Sequence, residues 1–189
     1  MIESVIVTLD DRLSEVGDTL SYAGHIDMTS YDLAGRTLEL PEGIDYDLVL
    51  TNAGEGILAT GILRAHVVSS CDRCLDEATL EVAGEVDEYY LFHEPDEGVL
   101  EEDEEEGPDY ALVGPNATID LADALASAFV MEIPYVILCK EDCKGLCPVC
   151  GENLNHVDCG HAALREAEQE AERMAASPFA ALKDLKLDD

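Results

Sequence analysis

Ile57-Leu-Ala-Thr-Gly-Ile-Leu-Arg-Ala-His-Val-Val-Ser-Ser70, Cys71-Asp-Arg-Cys74-Leu-Asp-Glu-Ala78 and Thr79-Leu-Glu-Val-Ala-Gly-Glu-Val-Asp-Glu-Tyr-Tyr-Leu-Phe92 follow one another without a gap. The first piece has few breakers. In the last, Leu80, Val82, Gly84, Val86, Glu88 and Tyr90 share one parity, while Glu81, Glu85 and Asp87 share the other. A period of two marks a strand with one buried face. Two long strands with a short break between them predict an antiparallel hairpin. Cys71 and Cys74 then lie at its tip, where both thiols can point beyond the sheet. His66, inside the first strand, reads as a packed or surface residue and not as a ligand.

Upstream of the hairpin the β signals are shorter. Val5-Ile-Val7 is a brief β-like run, and Leu13 with Val16 suggests a helical turn before Gly17. Leu20 to Met28 reads as a strand interrupted by Gly24. Thr37 to Leu40 is a short extended piece ending at Pro41. Tyr46 to Thr51 alternates, and Asn52-Ala-Gly54-Glu-Gly56 is a turn signal that links it to the hairpin.

Downstream, Glu94 to Asp109 is a charge run containing Glu101-Glu-Asp-Glu-Glu-Glu106. Like charges at this density repel and disfavour packing, so a mobile loop is expected. Thr118 to Ile133 is the best helical segment: Asp120 can cap it, Leu121, Leu125 and Phe129 recur every four residues, and Pro134 stops it. Ala122, Ala126 and Ala128 allow close approach to a sheet. Its exit leads directly into Cys139, so the helix is expected to anchor the cysteine-rich module to the β core. Ala162 to Ala176 reads as a second helix, ended by Ser177-Pro178, with Phe179 and Leu182 as a terminal hydrophobic hook.

The 189 residues suffice for a real core, and 47% of them are apolar. Formal net charge is −33, with only ten Lys and Arg. Nucleic-acid binders displace counterions with clustered cations, so broad direct phosphate binding is disfavoured. A basic protein partner fits this field, as does a plain gain in solubility. No apolar run is long enough to span a bilayer. The N-terminal residues lack the basic head and cleavage site of a signal peptide, which with reduced thiols points to the cytoplasm.

Five of the seven cysteines fall between Cys139 and His161. Thiolates this dense outside a small secreted scaffold point to a metal. Cys147-Pro-Val-Cys150-Gly151 is a zinc knuckle: Pro148 presets φ, and Gly151 permits the positive φ that such a turn needs. Zinc takes four ligands in a structural site. In one partition Cys147, Cys150, Cys159 and His161 hold one ion, and Cys71, Cys74, Cys139 and Cys143 hold a second. In another, Cys71 and Cys74 join Cys147 and Cys150 as a ribbon, leaving Cys139, Cys143, Cys159 and His161 as the other site. An iron–sulfur cluster is a further reading of four cysteines, and it would colour the protein. His156 is a spare candidate that reads as an exposed loop histidine.

Two classes of function compete. A non-catalytic, zinc-stabilised factor needs no residue beyond those named, and no catalytic or organic-cofactor residue stands out. The alternative is a thiol-based redox or metal-dependent enzyme acting through the Cys-x-x-Cys motifs. A redox pair belongs at a helix N-terminus after a strand, however, and Cys71 and Cys74 fall at a hairpin. A catalytic zinc needs an open position, whereas these cysteines can close both spheres.

The chain resembles the bacterial YceD family, whose members are described as large ribosomal RNA subunit accumulation proteins. The resemblance rests on Cys71-Asp-Arg-Cys74-Leu75 between two strands, on Cys139-Lys-Glu-Asp-Cys143-Lys-Gly-Leu-Cys147-Pro-Val-Cys150-Gly-Glu-Asn-Leu154, and on Pro178-Phe-Ala-Ala-Leu182. In the family a further cysteine often follows the last one two residues on; here His161 stands there, and zinc accepts it. The resemblance implies a role in producing or stabilising 23S ribosomal RNA during ribosome biogenesis, and it supplies no reaction. The expected architecture is α+β. Residues 1–92 form an antiparallel β domain, flat or curled into a partial barrel, with the Cys-x-x-Cys hairpin. Residues 93–117 form the acidic mobile loop, 118–138 the core helix, 139–161 the zinc-binding module, and 162–189 a C-terminal helix and tail.

Overall fold

The computed structural model describes residues 2–94 and 110–161, together with Leu164, Ala167, Gln169, Glu172 and Arg173. The chain divides into two compact units. The first comprises Met1–Ser69 and Glu77–Ile137; the second comprises Ser70–Asp76 and the chain from Leu138 onward.

The first unit is mostly antiparallel sheet. Its strands are β1 (Ile6–Thr8), β2 (Thr19–Ile26), β3 (Ser30–Leu33), β4 (Arg36–Glu39), β5 (Ile44–Asn52), β6 (Gly56–Ser70), β7 (Glu77–Leu91), β8 (Ala111–Leu112) and β9 (Thr118–Asp120). The main sheet runs β2-β5-β6-β4-β3, with β7 paired to β6 and β8 paired to β7. It is open and does not close into a barrel. The β7–β8 pair is parallel. Alternation puts Tyr46, Leu48 and Leu50 of β5 inside, with Val82, Val86 and Tyr90 of β7. Burying each such aliphatic side chain contributes about 1.5–3 kcal/mol. Helix α1 (Ala122–Glu132) packs on β7. Leu125 and Phe129 are fully buried, and Phe129 packs on Tyr31 with ring centroids 5.2 Å apart. Gly84 of β7 is the close-approach point: a β-carbon there would lie 2.8 Å from the carbonyl carbon of Ala128.

Several expectations change. Gly24 does not interrupt its strand, because β2 pairs continuously with β5 from Thr19–Thr51 to Ile26–Ile44. Glycine is needed there because a β-carbon would collide with the Tyr46 hydroxyl. Of the β3–β4 hairpin, β4 matches the extended piece expected at Thr37–Leu40, whereas β3 and the turn between them carry no clear sequence signal. That turn, Ala34-Gly35, takes positive φ at both residues (50° and 86°), a primed hairpin turn for which alanine is an unusual first residue. The helix starts at Ala122, not Thr118. Residues Thr118–Asp120 pair with β1 instead, and the Asp120 carboxylate accepts from Ser4 Oγ, Val5 N and Ala122 N. Long-range pairing thus takes the residues that a local helix signal claims, while Asp120 still serves the helix's first turn. Part of the stretch expected as loop is ordered, since β8 lies within it. Most of the acidic run, most of the Ala162–Ala176 stretch and the Phe179–Leu182 hook lie outside the described residues; the described residues of that stretch, Leu164, Ala167, Gln169, Glu172 and Arg173, occupy helical positions. Among the described residues no helix is long and apolar enough to cross a membrane.

Candidate metal centres

The second unit is built from two knuckle turns of the same design. In the first, Cys71 N donates to Asp76 O at 2.7 Å and Leu75 N to Cys71 O at 2.9 Å, with Leu75 at φ 65°. In the second, Cys147 N donates to Glu152 O at 2.8 Å and Gly151 N to Cys147 O at 2.8 Å, with Gly151 at φ 77°. The left-handed residue reverses the chain right after the second cysteine, so both sulfurs of each pair face one point. Glycine adopts that conformation without strain; Leu75 does so at a cost.

Eight side chains fall into two groups of four. Cys71, Cys74, Cys139 and Cys143 form one; Cys147, Cys150, Cys159 and His161 form the other. Within each group the ligand atoms all lie within 4.8 Å of one another. Cys71 and Cys74 therefore meet Cys139 and Cys143, and not Cys147 and Cys150 as a ribbon requires. The sulfurs of Cys71 and Cys143 are 3.7 Å apart and those of Cys74 and Cys139 3.5 Å. Cys147 Sγ is 3.8 Å from His161 Nδ1. A disulfide needs about 2.05 Å, and all seven cysteines are free. A tetrahedron with Zn–S bonds of about 2.3 Å has edges of about 3.8 Å, which these separations match. A multi-iron cluster between the thiolates would hold them further apart. The donor sets thus fit one thiophilic ion each, and either group could hold a metal.

Local hydrogen bonds favour the charged form of Cys71, Cys143 and Cys147. Burial opposes ionisation of Cys71, but the backbone N–H groups of Cys139, Arg73 and Cys74 lower its pKa to about 6. The N–H groups of Cys150 and Val149 bring Cys147 to about 6 as well. Cys143 is lowered mainly by the Asn155 amide, which donates to its sulfur at 3.3 Å. Burial pushes Cys74 and Cys139 up. A cation at the first centre would supply the field those two thiols lack.

Sequence reasoning missed the residues behind the ligands. Asn155 Nδ2 holds Cys143, while Asn155 Oδ1 accepts from Lys144 N at 3.0 Å. Asn153 Nδ2 donates to Asp76 Oδ2 at 2.7 Å, which holds the Asp76 carboxyl below the usual carboxylate range. Leu146 N donates to Arg73 O at 3.0 Å, and the Arg73 guanidinium to Cys143 O at 2.9 Å. These bonds fasten the hairpin tip to the chain at 143–155. Their only sequence signal is the run of turn-forming asparagines after Gly151. His156 sits outside both groups, 3.3 Å from Asp76, and is exposed. His66 is in neither group and pairs with Glu81 at 2.6 Å.

The fold is a mostly antiparallel sheet with one helix, and beside it stand two groups of clustered cysteines, one completed by a histidine, either of which could hold a metal ion. The family model described as "Large ribosomal RNA subunit accumulation protein YceD" matches residues 59–186, and the chain belongs to that family. It is similar to an uncharacterized protein of Mycobacterium tuberculosis, 36% identical over 108 residues, covering 57% of this chain and 50% of the relative. An uncharacterized protein of Mycobacterium leprae is 33% identical over 118 residues, covering 62% and 52% respectively. The chain thus spans about half the length of these curated relatives. No solved structure matches it significantly.

Proposed function

We propose that this chain is a non-catalytic, zinc-stabilised cytoplasmic factor of ribosome biogenesis that supports accumulation of 23S ribosomal RNA through a basic protein partner. The observation that carries this reading is the family match, whose description names accumulation of large-subunit ribosomal RNA. The closed donor sets support a structural rather than a catalytic metal: four ligands saturate a tetrahedral ion and leave no position for substrate. Cys71 and Cys74 lie in a turn between two strands, not at the helix N-terminus that activates a redox pair. A net charge of −33 opposes direct binding to RNA phosphates and favours a basic ribosomal or assembly protein as the contact.

Tagged chain recovered from its native host, with RNA and protein identified, tests this. The expected result is co-purification of large-subunit precursors together with a basic protein, and loss of the RNA when that protein is removed. Purified chain should be colourless and should bind ribosomal RNA fragments weakly at physiological salt. Tight, salt-sensitive binding to naked RNA would show the charge reasoning to be wrong. Turnover of a disulfide substrate lost on Cys74→Ser would favour the enzyme reading.

A further inference from the structure

Strand β2 ends the main sheet, and among the described residues nothing pairs with its second edge. That edge is unusually open. Native sheets blunt long edges with lysine, proline or a bulge. Thr19-Leu-Ser-Tyr-Ala-Gly-His-Ile26 has no lysine or proline, and its register with β5 runs unbroken, so no bulge turns it away. Among the described residues, nothing covers the outward face beside this edge, whose residues are exposed. Thr19, Ser21, Ala23 and His25 are exposed there, and their β5 neighbours are Thr51, Val49, Asp47 and Asp45. Asp45, Asp47 and Val49 are exposed too. Asp45 lies 2.7 Å from His25 Nδ1, and Asp27, fully exposed, lies 3.4 Å from His25 Nε2. Arg64 of β6 stands opposite Asp45.

We propose that the free edge of β2 takes up an extended Lys/Arg-rich segment of a partner protein as an added strand. Backbone hydrogen bonds along β2 supply the attachment, and side chains on one face supply the selection. A strand added to β2 lies about 10 Å from β5, two strand spacings. Ser21 and Ala23 are small, so long basic side chains on the added strand can lie across them. They then end at the carboxylates of Asp45 and Asp47, with Asp27 at the strand's end, while their stems cover Val49. A second copy of this chain is the poorer occupant, because pairing two β2 edges brings two acidic faces together. The inference rests on the basic-partner reading above and names where that partner docks.

The test uses the full metal-loaded chain and a blocked peptide of about eight residues alternating Lys and Val, with a Glu–Val peptide as control. Calorimetry should show binding of the first that weakens as salt rises, and no binding of the second. Amide exchange across Thr19–Ile26 should slow about tenfold in the complex. Ala23→Lys, which places on the edge the charge that native sheets use to block it, should weaken binding about tenfold, as should Asp45→Asn with Asp47→Asn. Binding that leaves β2 exchange unchanged, or ignores Ala23→Lys, overturns the docking site while leaving the basic-partner reading standing. No binding of the Lys–Val peptide, or β2 protection from self-association alone, also overturns it. The basic-partner reading itself fails separately, if native-host purification yields precursor RNA and no basic protein.

Discussion

Breaking one cysteine group at a time separates what each ion would hold together. Cys74 and Cys139 are 65 positions apart, and closing a loop of that length removes about 4 kcal/mol of chain entropy from the unfolded state at room temperature. Cys147 and His161 are 14 positions apart, which gives about 3 kcal/mol by the same relation. The two differ more in where the constraint acts than in its size. The loop closed by the first group contains β7, β8, β9 and α1; the second orders only the chain between its own ligands. Cys71→Ser should therefore lower zinc content from about two ions per chain to about one. It should cost about 4 kcal/mol in urea unfolding and speed amide exchange throughout β7, β9 and α1. Cys150→Ser should also lose one ion, but its faster exchange should be confined to residues near 145–161. Zinc analysis, urea titration and hydrogen exchange on both variants make the comparison. If Cys150→Ser loosens β6 and β7 while Cys71→Ser leaves α1 as protected as before, the loop-closure reasoning is refuted. If both variants and the parent protein lack metal yet stay folded, the metal reading itself is lost.

Other substitutions probe single contacts. Gly84→Ala should destabilise the first unit by about 1–3 kcal/mol, because its methyl meets the Ala128 carbonyl; an unchanged denaturation midpoint would contradict the packing of α1 on β7. Leu75→Gly should stabilise the protein by about 1 kcal/mol, since Leu75 is 68% exposed and holds the left-handed conformation that Gly151 holds in the twin knuckle. A loss of stability would mean that its side chain packs on something. Asn155→Ala removes the amide from Cys143 and should lower metal affinity at the first group about 10–100-fold in a competitive chelator titration, leaving the second group unchanged. Equal loss at both groups would point to unfolding and not to ligand positioning.

Some of this was legible because it is encoded within a few neighbouring residues. The parity of Val82, Val86 and Tyr90 announces one buried face of β7, and Leu125 and Phe129 announce the buried side of α1. Cys147-Pro-Val-Cys150-Gly151 specifies its own knuckle, and the charge excess needs only counting. Where local signals conflict with distant partners they mislead. Thr118–Asp120 looks like the start of a helix, yet it pairs with residues more than a hundred positions earlier. Leu75 carries no sign that it plays the part Gly151 plays. Gly24 looks like a break until the Tyr46 ring is placed beneath it.

The sequence by itself determined which side chains could hold a metal, the long hairpin with cysteines at its tip, and the strong acidity of the chain. Only the tertiary structure decided which thiols stand together. Spacing allowed Cys71 and Cys74 to meet either of two downstream sets, and the cost of closing a loop grows only with the logarithm of its length. Chain entropy therefore barely distinguishes a partner at Cys139 from one at Cys147. The choice falls to contacts no local pattern displays: Leu146 and Cys143 bonded to Arg73, Asn153 bonded to Asp76, and Asn155 bonded to Cys143. The open edge of β2 has the same origin, because a strand's own residues specify that it is a strand, and the rest of the chain specifies whether anything lies beside it.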